Sequence, residues 1–324
     1  MDDMRLLVLG GTEFLGYTIA AEAVRRGHDV TCAARGSANG APAPLIKLDR
    51  DDPDGLAPLR GERFDAVVDV AKISYPHVRR ALDQIDAGHW TFVSSISAYR
   101  EFRTGGVDDP VFDPIMEHGS MQTPDKYGGI KVASENAVRE VWGENAFIIR
   151  AGHITGRRDV ADRFGYWPAR LSGAGQVVVP DAPDQATHHV DVEDLTDWIV
   201  DGVERRVGGT FNAAGLPIPF GELLARIQAV AGGDVELVPV SEQRLLELEV
   251  QPWYGPRSLP LWVPGESVEG ANWDVRPAID TGLEFRSLEE AALNALERER
   301  ELGLDRVRRA GLTRGEERHI LDVR

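Results

Sequence analysis

Cysteine is almost missing. Cys32 is the only thiol among 324 residues, so no disulfide can close within the chain. It lies in an apolar, strand-like run, where a buried and unreactive thiol is expected. Long apolar runs are missing too. None approaches the ~18 residues of a membrane span, and no membrane partner is expected. The start, Asp2-Asp3 leading directly into a strand, lacks the basic and apolar regions of a secretory leader. Positive charge is in deficit, with 36 Lys and Arg against 53 Asp and Glu, a net of −17. A nucleic-acid partner wants a basic surface, so none is expected, and the acidity reads as a solubility device. These absences together predict a cytoplasmic protein in a reducing compartment.

What is present is a strand–helix alternation through the first half. Strands are predicted at Arg5–Leu9, Asp29–Ala34, Leu45–Leu48, Phe64–Val70, Trp90–Val93 and Ala146–Arg150. Helices are predicted at Phe14–Arg26, Tyr75–Ile85 and Lys126–Trp142. Short apolar strands separated by helices predict an α/β fold, a doubly wound parallel sheet. After Arg150 the pattern loosens, and proline and tryptophan punctuate it at Trp167-Pro168, Pro252-Trp253 and Pro260-Leu261-Trp262. Helices are predicted at Asp191–Arg206, Phe220–Ala231 and Ser287–Arg300. We read a dinucleotide-binding domain over 1–151, with 186–213 returning to it. A smaller substrate domain takes 152–185 and 214–324 and closes over the cofactor edge of the sheet. The charged tail from Glu297 onward reads as a solvated helical end.

The first strand runs into Gly10-Gly11-Thr12-Glu13-Phe14-Leu15-Gly16 and then a helix. A helix N-terminus offers unsatisfied N–H groups and partial positive charge to a pyrophosphate. Gly10 permits the tight turn and Gly16 close helix–sheet packing; Thr12, Phe14 and Leu15 complete the cofactor-binding turn. Glu13 is expected to face solvent, since a carboxylate aimed at a phosphate would repel it. The second strand ends Ala33-Ala34-Arg35. The acid that usually meets the ribose diol of NAD is missing. A guanidinium there matches a 2′-phosphate in charge and fork geometry, so NADP is the expected cofactor, with NAD the alternative. Asp49 either accepts from the adenine amine or caps the turn before Asp51-Asp52-Pro53. Ala71, past the fourth strand, is assigned to the cofactor and its neighbour Lys72 to the substrate pocket.

Tyr127 and Lys131 lie four residues apart, on one face of the predicted helix. An ammonium there favours ionisation of a phenol whose free pKa is about 10. A phenol so tuned can pass a proton to or from a carbonyl or alcohol oxygen. Ser95 ends the fifth strand upstream. His188-His189 invites a metal reading, but adjacent residues on a strand face opposite ways, and no metal site is expected.

These motifs, with Arg150-Ala151-Gly152 and His189-Val190-Asp191-Val192, occur in the order and approximate spacing of a known family. The chain resembles the extended short-chain dehydrogenase/reductase superfamily, of the NAD-dependent epimerase/dehydratase type. It is closest to an atypical bacterial branch whose turn reads Gly-Gly-Thr-x-Phe-x-Gly. The resemblance implies that Ser95 hydrogen-bonds a substrate oxygen, Tyr127 is the acid/base, and Lys131 holds the nicotinamide ribose and lowers the tyrosine pKa. Two departures bear on the reaction. Sugar-nucleotide 4,6-dehydratases carry Asp-Glu after the catalytic Ser/Thr, and this chain has Ile96-Ser97. Sugar-nucleotide epimerases commonly carry asparagine three residues after the arginine equivalent to Arg150, and this chain has His153. His153, Arg163, Tyr166 and Trp167 are candidates for the substrate pocket, with ordinary packing the competing reading. The expected function is an NADP-preferring oxidoreductase on a carbonyl or secondary alcohol of a small molecule. The alternatives are a sugar-nucleotide epimerase with bound cofactor and a non-catalytic nucleotide-sensing or RNA-associated protein. The family also suggests a homodimer through the helices at 75–85 and 126–142.

Overall fold

The computed structural model describes residues 3–36, 40–70, 73–101, 105–119, 123–265 and 272–323. Its contacts divide the chain into two compact units. The first comprises Met1–His153, Val192–Gly215 and Trp273–Glu284. It is built on seven strands: β1 (Arg5–Leu9), β2 (Asp29–Ala34), β3 (Leu45–Lys47), β4 (Ala66–Asp69), β5 (Trp90–Ser95), β6 (Phe147–Ala151) and β7 (Gly209–Ala213). Their order is β3-β2-β1-β4-β5-β6-β7, and every neighbouring pair is parallel. This is the expected doubly wound Rossmann sheet. The order reverses beside β1, so the carboxyl ends of β1 and β4 flank the crevice where such sheets bind ligands.

The strands are apolar on both faces: Leu7, Leu9, Trp90 and Phe92 on one face and Leu6, Val8, Phe147 and Ile149 on the other are almost wholly buried. The helices that position the site are α1 (Phe14–Arg25), α2 (Tyr75–Gln84) and α3 (Pro124–Trp142). Ser74 caps α2, its Oγ accepting from the His77 N–H at 3.3 Å. The predicted strand over Phe64–Val70 is two strands. Arg63–Phe64 pairs with Asp86–Ala87, while Ala66–Asp69 joins the main sheet. Asp65 makes the break. Its backbone N–H donates to the Arg5 carbonyl at 2.8 Å, and its carboxylate accepts from the Arg5 N–H at 2.8 Å. Cys32 has no exposed surface, and burial pushes its thiol up to about 11, so it is inert at neutral pH.

The second unit comprises Ile154–Asp191, Leu216–Asn272 and Phe285–Arg324. Its longest pairing is parallel, between Ala174–Pro180 and Asp234–Val240. Trp167, Phe220, Leu223, Ile227, Leu259 and Trp262 form its core. The tail from Glu297 is mostly exposed and partly helical, as expected, but a few of its residues anchor it to the second unit. Glu317 and Ile320 of the last helix are buried, as is Glu299. Glu317 accepts from the buried Arg170 at 2.7 Å, and Glu299 accepts from Arg306 at 2.8 Å and Arg308 at 2.7 Å. Its buried acids are thus paired with arginines, while most of its other charged residues are exposed. Among the described residues no helix is long and apolar enough to cross a membrane.

Candidate active site

The glycine turn joins β1 to α1 with very little room. Gly10 has φ +96°, and a Cβ on it would lie 2.6 Å from Val70 Cγ2. A Cβ on Gly16 would fall on the Gly10 carbonyl oxygen, and one on Gly11 would lie 2.7 Å from Cys32 Sγ. Phe14, the first helical residue, has φ +35°, an uncommon conformation for a non-glycine. No side chain caps α1 and its first turn holds no acid, so the first N–H groups keep the character of an anion site. The cradle therefore fits a dinucleotide pyrophosphate. Thr12 and Leu15 are buried and Glu13 is exposed. Gly16→Ala is expected to destabilise the protein by about 1–3 kcal/mol and to weaken dinucleotide binding. Denaturant midpoints and cofactor titration check this, and a variant equal to the parent in both would remove the close-packing argument.

Arg35 follows β2 and is exposed. Asp49 is exposed after β3, and its Oδ1 accepts the Asp51 N–H at 3.0 Å. A larger feature went unpredicted. Asp69, at the carboxyl end of β4, is wholly buried and bidentate with Arg50, at 2.8 and 2.9 Å. Arg50 also donates to the His77 carbonyl at 2.7 Å. Ala71 and Lys72 lie outside the described residues.

The catalytic candidates are brought together by β5 and α3. Ser95 ends β5, and its Oγ accepts the Ser97 N–H at 3.1 Å and donates to Ser97 Oγ at 3.1 Å. Lys131 is buried on α3, and its Nζ donates to the Val93 carbonyl of β5 at 3.0 Å. The same ammonium lies 6.0 Å from the centre of the Tyr127 ring and 5.2 Å from that of Phe92. Burial lowers the Lys131 pKa to about 8, with Asp69 and Glu135 opposing the shift. Tyr127 is half-buried in the first turn of α3. Two glycines after it allow the helix to approach the strand end. A Cβ on Gly128 would fall on the Ser97 carbonyl oxygen, and one on Gly129 would lie 2.7 Å from the Asp113 carbonyl oxygen. The Tyr-Gly-Gly-Ile-Lys sequence was legible, but the purpose of its glycines was not.

One turn past Lys131 stands Glu135, also missed. It is fully buried, accepting from Ser94 Oγ at 2.5 Å, from Arg150 at 3.0 and 2.8 Å, and from Arg139 at 2.9 Å. Burial pushes its carboxyl up, but Arg150, Arg139 and Ser94 more than offset this and hold it below its ordinary range. Glu135 thus ties α3 to β5 through Ser94 and to β6 through Arg150, one turn beyond the Lys131 anchor. No local pattern reveals it, because a glutamate four residues after a lysine reads as an ordinary helix-face charge. Tyr99, below Ser95 in the chain, is buried, with Arg150 4.6 Å from its ring centre, and donates to Asn212 Oδ1 of β7 at 2.7 Å.

The pocket candidates scatter. His153 is buried at the end of the first unit. In the second unit, Trp167 has no exposed surface and donates from its indole to the Pro260 carbonyl at 2.9 Å, packed edge-on against Tyr166 and Phe220. That is a core position. Arg163 lies over the Trp253 ring, 5.3 Å from its centre.

Comparison with known proteins agrees with this architecture. Residues 6–90 match the NAD dependent epimerase/dehydratase family. No curated protein matches the chain. Among solved structures, the Bordetella bronchiseptica enzyme WbmH in complex with NAD+ aligns with TM-score 0.65 and 16% identity, over 93% of this chain and 99% of that one. The Thermotoga maritima UDP-glucose 4-epimerase with UDP-glucose aligns with TM-score 0.63 and 19% identity, over 92% and 99%. The Bacillus cereus UDP-glucuronic acid 4-epimerase in complex with NAD gives TM-score 0.62 and 15% identity, over 92% and 99%. At these identities the likeness is one of fold. The family match lies within the first unit, over the glycine turn and the first strands of the sheet.

Proposed function

We propose that the protein is an NADP-preferring oxidoreductase acting on a carbonyl or secondary alcohol of a small molecule. The observation that carries the reading is the Lys131 ammonium, tied to the strand that ends in Ser95 and set 6.0 Å from the Tyr127 ring. The glycine turn would hold the pyrophosphate, and Lys131 the nicotinamide ribose. When bound, the nicotinamide supplies or accepts hydride. The chain's own residues manage the oxygen. Ser95 Oγ orients it, and Tyr127 gives it a proton on reduction or takes one on oxidation. Lys131 lowers the electrostatic cost of the phenolate. The positions after Ser95 hold Ile96 and Ser97, which supply neither the acid nor the base of a 4,6-dehydration. A cytoplasmic location and a homodimer through α2 and α3 belong to the same reading.

A second reading, epimerisation of a sugar nucleotide, is supported by the structural likeness to two UDP-sugar 4-epimerases, from Thermotoga maritima and Bacillus cereus. It uses the same three residues, with hydride returned to the other face of the carbon. One measurement separates them. Protein purified with tightly retained NAD(P) that interconverts UDP-hexoses is the epimerase. Protein that exchanges cofactor freely and oxidises NADPH with carbonyl compounds is the reductase. If neither occurs and neither cofactor form binds, both readings fall.

Cofactor choice has its own test. Arg35 is exposed and Ala34 offers no acid to the ribose diol. NADP(H) is expected to bind more tightly than NAD(H). Arg35→Ala should shrink the preference by roughly ten-fold or more, since a charge-assisted contact contributes about 1.5–3 kcal/mol. Dissociation constants for both forms decide it; tighter NAD(H) binding by the parent protein would overturn the assignment.

A further inference from the structure

A second group of chemistry-bearing side chains stands apart from Ser95, Tyr127 and Lys131. Asp51 follows β3, His77 is in the first turn of α2, and His118 lies in the segment before α3. His77 Nε2 is 2.8 Å from Asp51 Oδ1, and His118 Nδ1 is 3.8 Å from the same oxygen. One ligand atom from each residue lies within 4.8 Å of the other two. The imidazole rings are 5.2 Å apart at 57°. Four-coordinate zinc at ~2.1 Å from its ligands sets them about 3.4 Å apart, so small side-chain rotations would close the set around an ion.

The backbone holds all three residues in place. His118 is bridged antiparallel to Ser74, the cap of α2. The Tyr75 N–H donates to the Glu117 carbonyl at 3.1 Å, and the Gly119 N–H to the Ile73 carbonyl at 3.1 Å. The turn carrying Asp51 is fixed from α2, where Arg80 donates to the carbonyls of Arg50 at 2.6 Å and Asp52 at 2.9 Å. Three separate segments are thus tied at their backbones so that an Nε2, an Nδ1 and a carboxylate oxygen converge.

We propose that Asp51, His77 and His118 bind one divalent transition-metal ion of the zinc type, with the remaining coordination position open to water. Two imidazoles and a carboxylate suit zinc, and the oxygen-rich shells of calcium or magnesium do not. The proposal departs from the expectation that no metal site is present. Its residues lie 26 and 41 positions apart in sequence, so no spacing motif announces them.

The test uses tag-free full-length protein, stripped with chelator, desalted and titrated calorimetrically with Zn2+ near neutral pH. One ion per chain is expected, with a dissociation constant in the micromolar range or below. His118→Ala and Asp51→Asn alter exposed side chains and should leave the circular dichroism spectrum unchanged. Each should weaken binding by more than about ten-fold, at least the loss that an outer-shell partner gives. Co2+ should show visible ligand-field bands in the parent protein that are lost in His118→Ala. No zinc binding by the parent overturns the proposal. So does binding of equal affinity in both variants, which would mean that the ion is held elsewhere, for example by His188 and His189.

Discussion

Tyr127→Phe should lower turnover by roughly 10²-fold or more, the range for loss of a general acid or base, on any substrate that the parent enzyme converts. The substitution removes one oxygen and leaves the ring, so the packing of α3 on β5 through Gly128 and Gly129 is retained. Dinucleotide affinity should stay within a few-fold of the parent, because the proposed pyrophosphate cradle lies in the β1–α1 turn and not on α3. Steady-state rates and a cofactor titration on the same preparation separate the two effects. Loss of turnover together with loss of cofactor binding would point to a structural role. Near-normal turnover would show that another group moves the proton, and the Ser95–Tyr127–Lys131 mechanism would have to be given up.

The first unit was legible because its physics is local. A strand buried on both faces must be apolar along its length, and a strand-to-helix turn at a phosphate cradle must be glycine where backbone meets backbone. Arg5–Leu9, Gly10 and Gly16 therefore carry their structural meaning in their own few residues. The Tyr127–Lys131 spacing is local in the same sense, since one helix sets it. What escaped notice depends on partners far away in sequence. Glu135 meets Arg150 on another element, Asp69 meets Arg50, and Arg170 meets Glu317 across 147 positions. Each acid or base taken singly resembles a solvated surface charge, and only the fold reveals that it is buried and paired. In the second unit the helices at 220–231 and 288–302 were legible, but its strands were not, for a related reason. Its main pairing joins Ala174–Pro180 to Asp234–Val240, one with Ala-Gly-Gln at its start and the other with alternating acids, so neither shows the apolar run of a central strand.

Lys131→Met should make the cofactor-free protein more stable while abolishing most activity. A buried ammonium is costly, and its pKa, lowered to about 8 by burial, measures that cost after the help of Asp69 and Glu135. Below about pH 8 the lysine is charged in both folded and unfolded chains, and the folded state bears the full penalty. Between about 8 and the ordinary value of 10.5 the folded chain releases its proton while the unfolded chain still holds one. In that window the parent protein gains stability as pH rises. Methionine fills a similar volume without the charge, although the Val93 carbonyl loses its donor. The net gain should be roughly 1–3 kcal/mol at pH 7, shrinking toward pH 10. Denaturant unfolding of both proteins at pH 7 and pH 10 reads the difference directly, since other titrating groups cancel in the comparison. A variant less stable than the parent at pH 7, or a difference that does not change with pH, would mean that the ammonium is better solvated than its burial implies. A more stable but inactive variant would identify Lys131 as a charge kept at the expense of the fold for the sake of the phenol beside it.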